Sequence, residues 1–252
     1  MSKGCLVRTG FPHVGIVAAT ADGAALCYRT LCHEAERLRG PHAHPEITMH
    51  ALPLEAYLGS IDANDWAGVA ALMSRSALVL THAGVELIIC PNNTLHQAFG
   101  LVASPVPWLH IAEAVRAEAV RRDFRRLGLL GTEAVMQGTV YQPIFGQEGI
   151  ELLLPHSHER SVLDRIIRTE LIRGEYLPAS RRYVQDIIST MAADGAEAVI
   201  LGCTELPLLL PDEESELPLL DSTRLLATAA LQRVGRRPWQ PNHDCPVICT
   251  SN

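Results

Sequence analysis

Two apolar strands each run into a small polar turn, one in each half of the chain, and this repetition restricts the fold more than any other feature. The first strand, Val85-Glu86-Leu87-Ile88-Ile89-Cys90, is followed by Asn92-Asn93-Thr94-Leu95-His96. The second, Ala198-Val199-Ile200-Leu201, leads into Gly202-Cys203-Thr204-Glu205-Leu206-Pro207. Short apolar runs of this kind suit strands covered on both faces, as in parallel sheets flanked by helices. The duplication predicts an α/β fold: two pseudo-symmetric parallel-sheet α/β domains with the active site in the cleft between them. Such a cleft lets one carbon be approached from opposite faces. The two turns differ in one respect, because the second carries a thiol and the first offers Asn92.

The remaining chain alternates short β-branched runs with longer helical stretches, which is the α/β pattern. Strands are predicted at 14–18, 46–50, 87–90, 126–130, 151–154 and 198–201. Helices are predicted at 24–39, 66–83, 111–121, 133–145, 161–173, 179–194 and 223–234, the last with Leu225, Leu226, Ala229, Ala230 and Val234 on one face. Ser104-Pro105-Val106-Pro107 marks the internal boundary, since proline continues neither element. The first α/β half is therefore placed at 1–107 and the second at 108–221, each around a four-stranded parallel sheet. Residues 237–252, proline-rich and without periodicity, read as a poorly ordered tail.

Composition removes several function classes. A net charge of −7 argues against a nucleic-acid partner, because phosphate binding requires a basic surface. The apolar runs are strand-length, so no membrane span is predicted. Met1-Ser2-Lys3-Gly4-Cys5 has no apolar core behind its lysine, so the chain reads as cytoplasmic and its seven cysteines as reduced thiols. Without a paired CxxC, a structural zinc site is not expected, and His42-Ala43-His44 has no carboxylate at ligand spacing. Neither phosphate-binding glycine pattern occurs. No cofactor and no metal are expected.

The two turns resemble the paired motifs of the aspartate/glutamate racemase superfamily, a Cys-Asn-Thr near the middle and a Gly-Cys-Thr-Glu near the C-terminus. Gly202-Cys203-Thr204-Glu205 matches the second, and Asn93-Thr94 with His96 matches most of the first, with Asn92 at the position of the first cysteine. The resemblance extends along nearly the whole chain. It takes in Val14-Gly15-Ile16-Val17, Leu127-Gly128-Leu129-Leu130-Gly131-Thr132, the stretch from Asp164 to Gly174, and Leu217-Pro218-Leu219-Leu220-Asp221-Ser222-Thr223. It implies a cofactor-independent amino-acid racemase or epimerase, acting on a small carboxylate substrate, an acidic amino acid by preference. It further implies a homodimer, and a C-terminal helix at 222–236 that returns to the first half.

In such enzymes one thiol per face alternates as thiolate base and thiol acid. A free thiol titrates at about 8.5, lowered by helix N-termini and hydrogen-bond donors, and Cys203 at a strand-to-helix turn has that setting. Asn92 does not: a carboxamide is no base near neutral pH. Three readings stay open. Proton transfer on that face is relayed by water or His96; or the chain is a one-thiol enzyme, resembling the arylmalonate decarboxylases, that acts on a dicarboxylate; or it is a non-catalytic binder of an acidic metabolite. Cys90 either supplies the missing thiol or packs in the core.

Carboxylate binding is expected at the backbone N–H groups after Asn92 and Cys203, with Asn93, Thr94, Thr132 and Thr204 as further substrate contacts, although each threonine equally suits an N-cap. Arg173 either receives a distal carboxylate or complements a helix C-terminus. By the resemblance, His50 lies near the substrate side chain and His96 within the motif; both equally suit structural roles. Two departures point away from aspartate itself: Leu226 stands where many members carry histidine, and Ala18-Ala19-Thr20-Ala21-Asp22-Gly23 lacks the Gly-Gly-Met-Ser of aspartate racemases.

Overall fold

Strand and helix alternate throughout the computed structural model, which describes residues 11 and 13–235. The tail expected at 237–252 lies outside the described residues. The chain opens with β1 (Val14–Ala18), α1 (Ala21–Arg39), β2 (Ile47–Ala51), α2 (Glu55–Asp62), α3 (Trp66–His82) and β3 (Leu87–Ile89). A 3-10 segment, Thr94–Leu101, and α4 (Ile111–Arg121) follow. Next come β4 (Arg126–Leu130), α5 (Glu133–Met136), α6 (Gln142–Gly146), β5 (Glu151–Leu153), α7 (Ser157–Thr169) and a 3-10 turn, Leu171–Arg173. Then α8 (Pro178–Ala193), β6 (Ala198–Leu201), α9 (Leu206–Leu209), β7 (Leu219–Asp221) and α10 (Ser222–Gly235) complete it.

These strands form two all-parallel sheets, β2-β1-β3 and β5-β4-β6-β7. Each places its first strand centrally and steps outward on both sides, so the two sheets share one winding. The first sheet has three strands, not the expected four. Its fourth is reduced to a single bridge, Ile88 to Trp108, with Ile88 N–H donating to Pro107 O and Leu109 N–H to Ile88 O. Pro105 and Pro107 have no N–H to extend that ladder. Conversely, β7 and α2 had no predicted counterpart; both are short, too short for periodicity to reveal.

Local chemistry sets the helix limits. Asp65 caps α3 by accepting from Gly68 N–H at 2.9 Å, and Asp221 caps α10 by accepting from Thr223 and Arg224 N–H at 2.9 and 3.0 Å. The helix predicted at 133–145 is instead broken into α5 and α6. Gln97 reaches across from the 3-10 segment, donating to Ala134 O at 2.7 Å and accepting from Thr139 N–H at 3.2 Å. Gly138 leaves the room, since a Cβ there would sit 2.5 Å from the Gln97 amide. The helix predicted at 161–173 starts earlier, at a capping box of His156 and Glu159, and ends before a 3-10 turn closed by Gly174 at φ 76°.

One continuous core unites both sheets. It contains Ile16 and Ile89 of the first sheet, Leu129 and Ile200 of the second, and Ala112, Val115, Leu226 and Ala230 of α4 and α10. The last helix, α10, packs on α1 and α4. A second cluster fills the other face of the first sheet, where α2 and α3 cover Val17 and Ile88. No helix among the described residues is long and apolar enough to cross a membrane.

Candidate active site

A cavity of roughly 180 Å³ opens where the carboxyl ends of both sheets meet. Strand-end turns floor it: Thr20 after β1, Asn92 to Thr94 after β3, Thr132 after β4, and Gly202 to Glu205 after β6. Ligands in open parallel sheets bind at such strand ends. The turns approach closely because side chains are missing where they cross. A Cβ on Gly202 would lie 2.9 Å from Leu130 O, and one on Gly23 would lie 2.5 Å from Thr204 Oγ1. Two threonine pairs cross the cleft: Thr94 and Thr132 hydroxyls are 3.2 Å apart, Thr20 and Thr204 3.5 Å.

Cys203 sits on this floor, 7% exposed. Its Sγ donates to Glu205 Oε2 at 3.2 Å, and Thr204 Oγ1 donates to the same oxygen at 2.7 Å. The other oxygen, Glu205 Oε1, is buried without a hydrogen-bond partner, on a residue 3% exposed. Burial pushes the Cys203 thiol well above its ordinary value, the Glu205 charge adds to this, and the backbone N–H groups of Glu205 and Leu206 act in the opposite sense. Burial and the neighbouring carboxylate therefore favour the thiol over the thiolate. The helix expected to favour the anion, α9, is a single turn, so it brings two N–H groups and little dipole.

Asn92 faces the same cavity from the first sheet. Its Oδ1 accepts from Leu95 N–H at 3.1 Å, which leaves the NH2 end to face a ligand. Asn93 is locked: its Nδ2 donates to Ser222 Oγ at 3.0 Å and its Oδ1 accepts from Tyr141 OH at 2.6 Å. Its side chain positions the turn, with the oxygen and one of the two amide hydrogens engaged. Thr94 and Thr132 line the cavity, and neither Thr132 nor Asn93 makes a side-chain helix cap.

Three residues expected at the site do not line it. His96 is 3% exposed; its Nε2 donates to Cys90 O at 3.0 Å, and its Nδ1 accepts from Ile111 N–H at 3.4 Å. Burial, aided by His110, pushes its imidazole down to about 3, so it is neutral and both nitrogens are occupied. Its place is structural, and a proton relay through it has no free atom to use. His50 projects from β2 with Nδ1 3.0 Å from Ser76 Oγ. Arg173 is exposed outside the lining, at the 3-10 turn after α7. Cys90 is buried in the second core cluster, where burial raises its thiol to about 12.

Comparison with known proteins agrees with this architecture. The profile of the Asp/Glu/Hydantoin racemase family matches residues 9–230. The chain belongs to that racemase family. Among curated relatives of this racemase-family chain, the broad specificity amino-acid racemase RacX of Bacillus subtilis is 28% identical over 62% of this chain and 67% of its own length. Glutamate racemase of Aquifex aeolicus is 27% identical over 57% of each. In structure, an aspartate racemase homologue from Pyrococcus horikoshii superposes with a TM-score of 0.74 at 28% identity, over 88% of this chain and 99% of that one. Glutamate racemase from Francisella tularensis, solved with D-glutamate, gives 0.65 over 89% and 81%; at 14% identity it shares the fold.

Several residues of the racemase-family cleft escaped the sequence reading. Arg168 and Ile167 line the cavity from α7 and Ile172 from the 3-10 turn after it, while Leu58 and Ile61 line it from α2 and Leu54 from just before that helix. Thr20 had a usable signal, since it stands two residues after β1 as Thr132 stands two after β4. Glu205 was visible as part of its motif, but its contact with Sγ was not.

Proposed function

We propose that this protein is a cofactor-independent racemase or epimerase, moving a proton at the carbon α to a substrate carboxylate with Cys203 as acid and base. The observation that carries the reading is the pair Cys203 Sγ to Glu205 Oε2, 3.2 Å apart on the floor of a cavity between two sheets. A thiol held above its ordinary value is a poor base until its proton leaves. Glu205 Oε2 receives that proton, and the thiolate then takes the substrate's α-proton. The pair carries one negative charge before and after the transfer, so no second charge is buried. Protonation of the carbanion by the Cys203 thiol reverses the same step. Thr94 and Thr132 hydroxyls, with the Asn92 NH2, hold the carboxylate and the developing enolate.

On the opposite face Asn92 supplies no acid; solvent water delivers the second proton there, and the hydroxide left behind is neutralised as Glu205 returns its proton to solvent, which restores the thiol and carboxylate. That asymmetry supports a second reading, a one-thiol lyase of the same family that protonates a carbanion left by decarboxylation. The preference for an acidic amino acid is implied by the family resemblance, with Arg173 as its candidate cation; Arg173 stands outside the lining, so the distal preference rests on the residues that do line the cavity.

Proton NMR in deuterated water decides between these. Loss of a substrate's α-proton signal, abolished in Cys203→Ala and accompanied by the opposite enantiomer, is the result expected of the racemase. Exchange without inversion, or release of carbon dioxide from a disubstituted malonate, would move the assignment to the lyase. Binding without either would leave a metabolite binder.

A further inference from the structure

We infer that the cleft takes an α-amino acid with an aliphatic side chain and not a second carboxylate, an inference that rests on the racemase reading of the same cavity. The wall is divided by element. Strand-end turns contribute the polar floor, whereas α2 with the residue before it and α7 with its 3-10 turn contribute Leu54, Leu58, Ile61, Ile167 and Ile172. These five form the apolar part of the wall, against which a substituent on the reacting carbon can pack.

Charge points the same way. Arg168 is the one cation among the described lining residues, and it is already paired. Its Nε donates to Asp164 Oδ2 at 2.9 Å, and its Nη1 lies 3.5 Å from Asp62 Oδ1. Asp164 is fixed in turn, since its Oδ1 accepts from Glu133 N–H at 2.9 Å. With Glu205 inside the cavity, three carboxylates stand against one guanidinium. A distal carboxylate would enter a negative field and would compete with Asp164 and Asp62 for that guanidinium. An ammonium group, by contrast, finds an acceptor in Glu205 Oε1, buried and without a hydrogen-bond partner. The Cys203–Glu205 pair carries one negative charge opposite that ammonium until the thiolate takes the α-proton, when the charge passes to the substrate.

An aliphatic side chain also gains area. Leu58 and Ile172 are each 37% exposed, and each methylene buried against them favours binding by about fourfold. Leucine or norvaline is therefore expected to exceed glutamate by at least about tenfold in kcat/KM.

Two measurements test this separately from turnover. Calorimetric binding to Cys203→Ser, and racemisation by the wild type followed by chiral chromatography, are compared for L-leucine, L-norvaline, L-glutamate, L-aspartate and L-lysine. Preference for the aliphatic pair in both supports the inference. Leu58→Lys, at an exposed position, is expected to shift both readouts toward glutamate, with circular dichroism checking the fold. Leucine bound tightly by Cys203→Ser but never racemised by the wild type would reject the racemase reading and keep the side-chain preference. Glutamate, aspartate or lysine bound as well as leucine, or no amino acid bound at all, would overturn the inference.

Discussion

At Cys203, burial and the Glu205 carboxylate raise the thiol while two backbone N–H groups lower it, so one substitution separates proton affinity from proton transfer. Removing the negative charge in Glu205→Gln lowers the Cys203 value, because a like charge no longer opposes the thiolate. Alkylation of the Cys203 peptide by iodoacetamide at pH 8, followed by mass spectrometry, is expected to quicken. Racemisation is expected to fall by roughly a hundredfold, because the thiol loses its proton acceptor. Alkylation and turnover falling together would reject the proposed role. Across the cleft, Asn92 has a structural task besides facing the ligand. Asn92→Ala removes the acceptor for Leu95 N–H and is expected to cost about 1 kcal/mol in urea unfolding. An unchanged midpoint would mean that this cap contributes nothing.

The element that presents Asn92, the 3-10 segment Thr94–Leu101, is fastened to its neighbours through His96. That side chain joins the end of β3, through Cys90 O, to the start of α4, through Ile111 N–H. Its imidazole is pushed from 6.5 down to about 3 in the folded chain, so the unfolded chain binds the proton first as pH falls. The contribution is therefore complete above the unfolded value and is lost as pH drops from about 6.5 toward 3, by up to about 1.4 kcal/mol per pH unit. Urea midpoints at pH 7 and pH 5 measure this slope. His96→Gln is expected to flatten it, with a remainder of the same sign from His110, which burial pushes down to about 4. An unchanged slope in the variant would place the acid sensitivity elsewhere. The motif containing His96 was legible in the sequence, but its task was not, because a histidine that packs and one that meets substrate share the same letters.

For the molecule as a whole, the shared core makes the two sheets one folding unit. Leu226 of α10 is fully buried in the cluster that also holds Ile16 and Leu129, one from each sheet. Leu226→Ala is expected to cost about 2–5 kcal/mol and to lower one thermal transition without splitting it. Two transitions in the calorimeter would mean that the halves unfold separately. The polar mouth bridge, Arg168 to Asp62 at 3.5 Å with both side chains partly exposed, is expected to contribute under about 1 kcal/mol.

Much of the architecture follows from local pattern. Buried strands such as 14–18, 126–130 and 198–201 declare themselves as apolar runs, because a strand covered on both faces tolerates little else. The motifs at Asn92 and Cys203 lie at strand ends, and parallel winding brings strand ends together, so both residues reaching one cavity was foreseeable. Tertiary structure alone decided the rest. Arg168 and Arg173 are five positions apart, about 140° around a helix, and α7 gives way to a 3-10 turn between them; orientation selected Arg168. Gln97 broke a predicted helix from outside it. A contact between distant segments has no local signature. The sequence by itself therefore determined the two-sheet fold and the thiol facing a carboxamide, whereas packing decided which cation, which apolar wall and which carboxylate surround them.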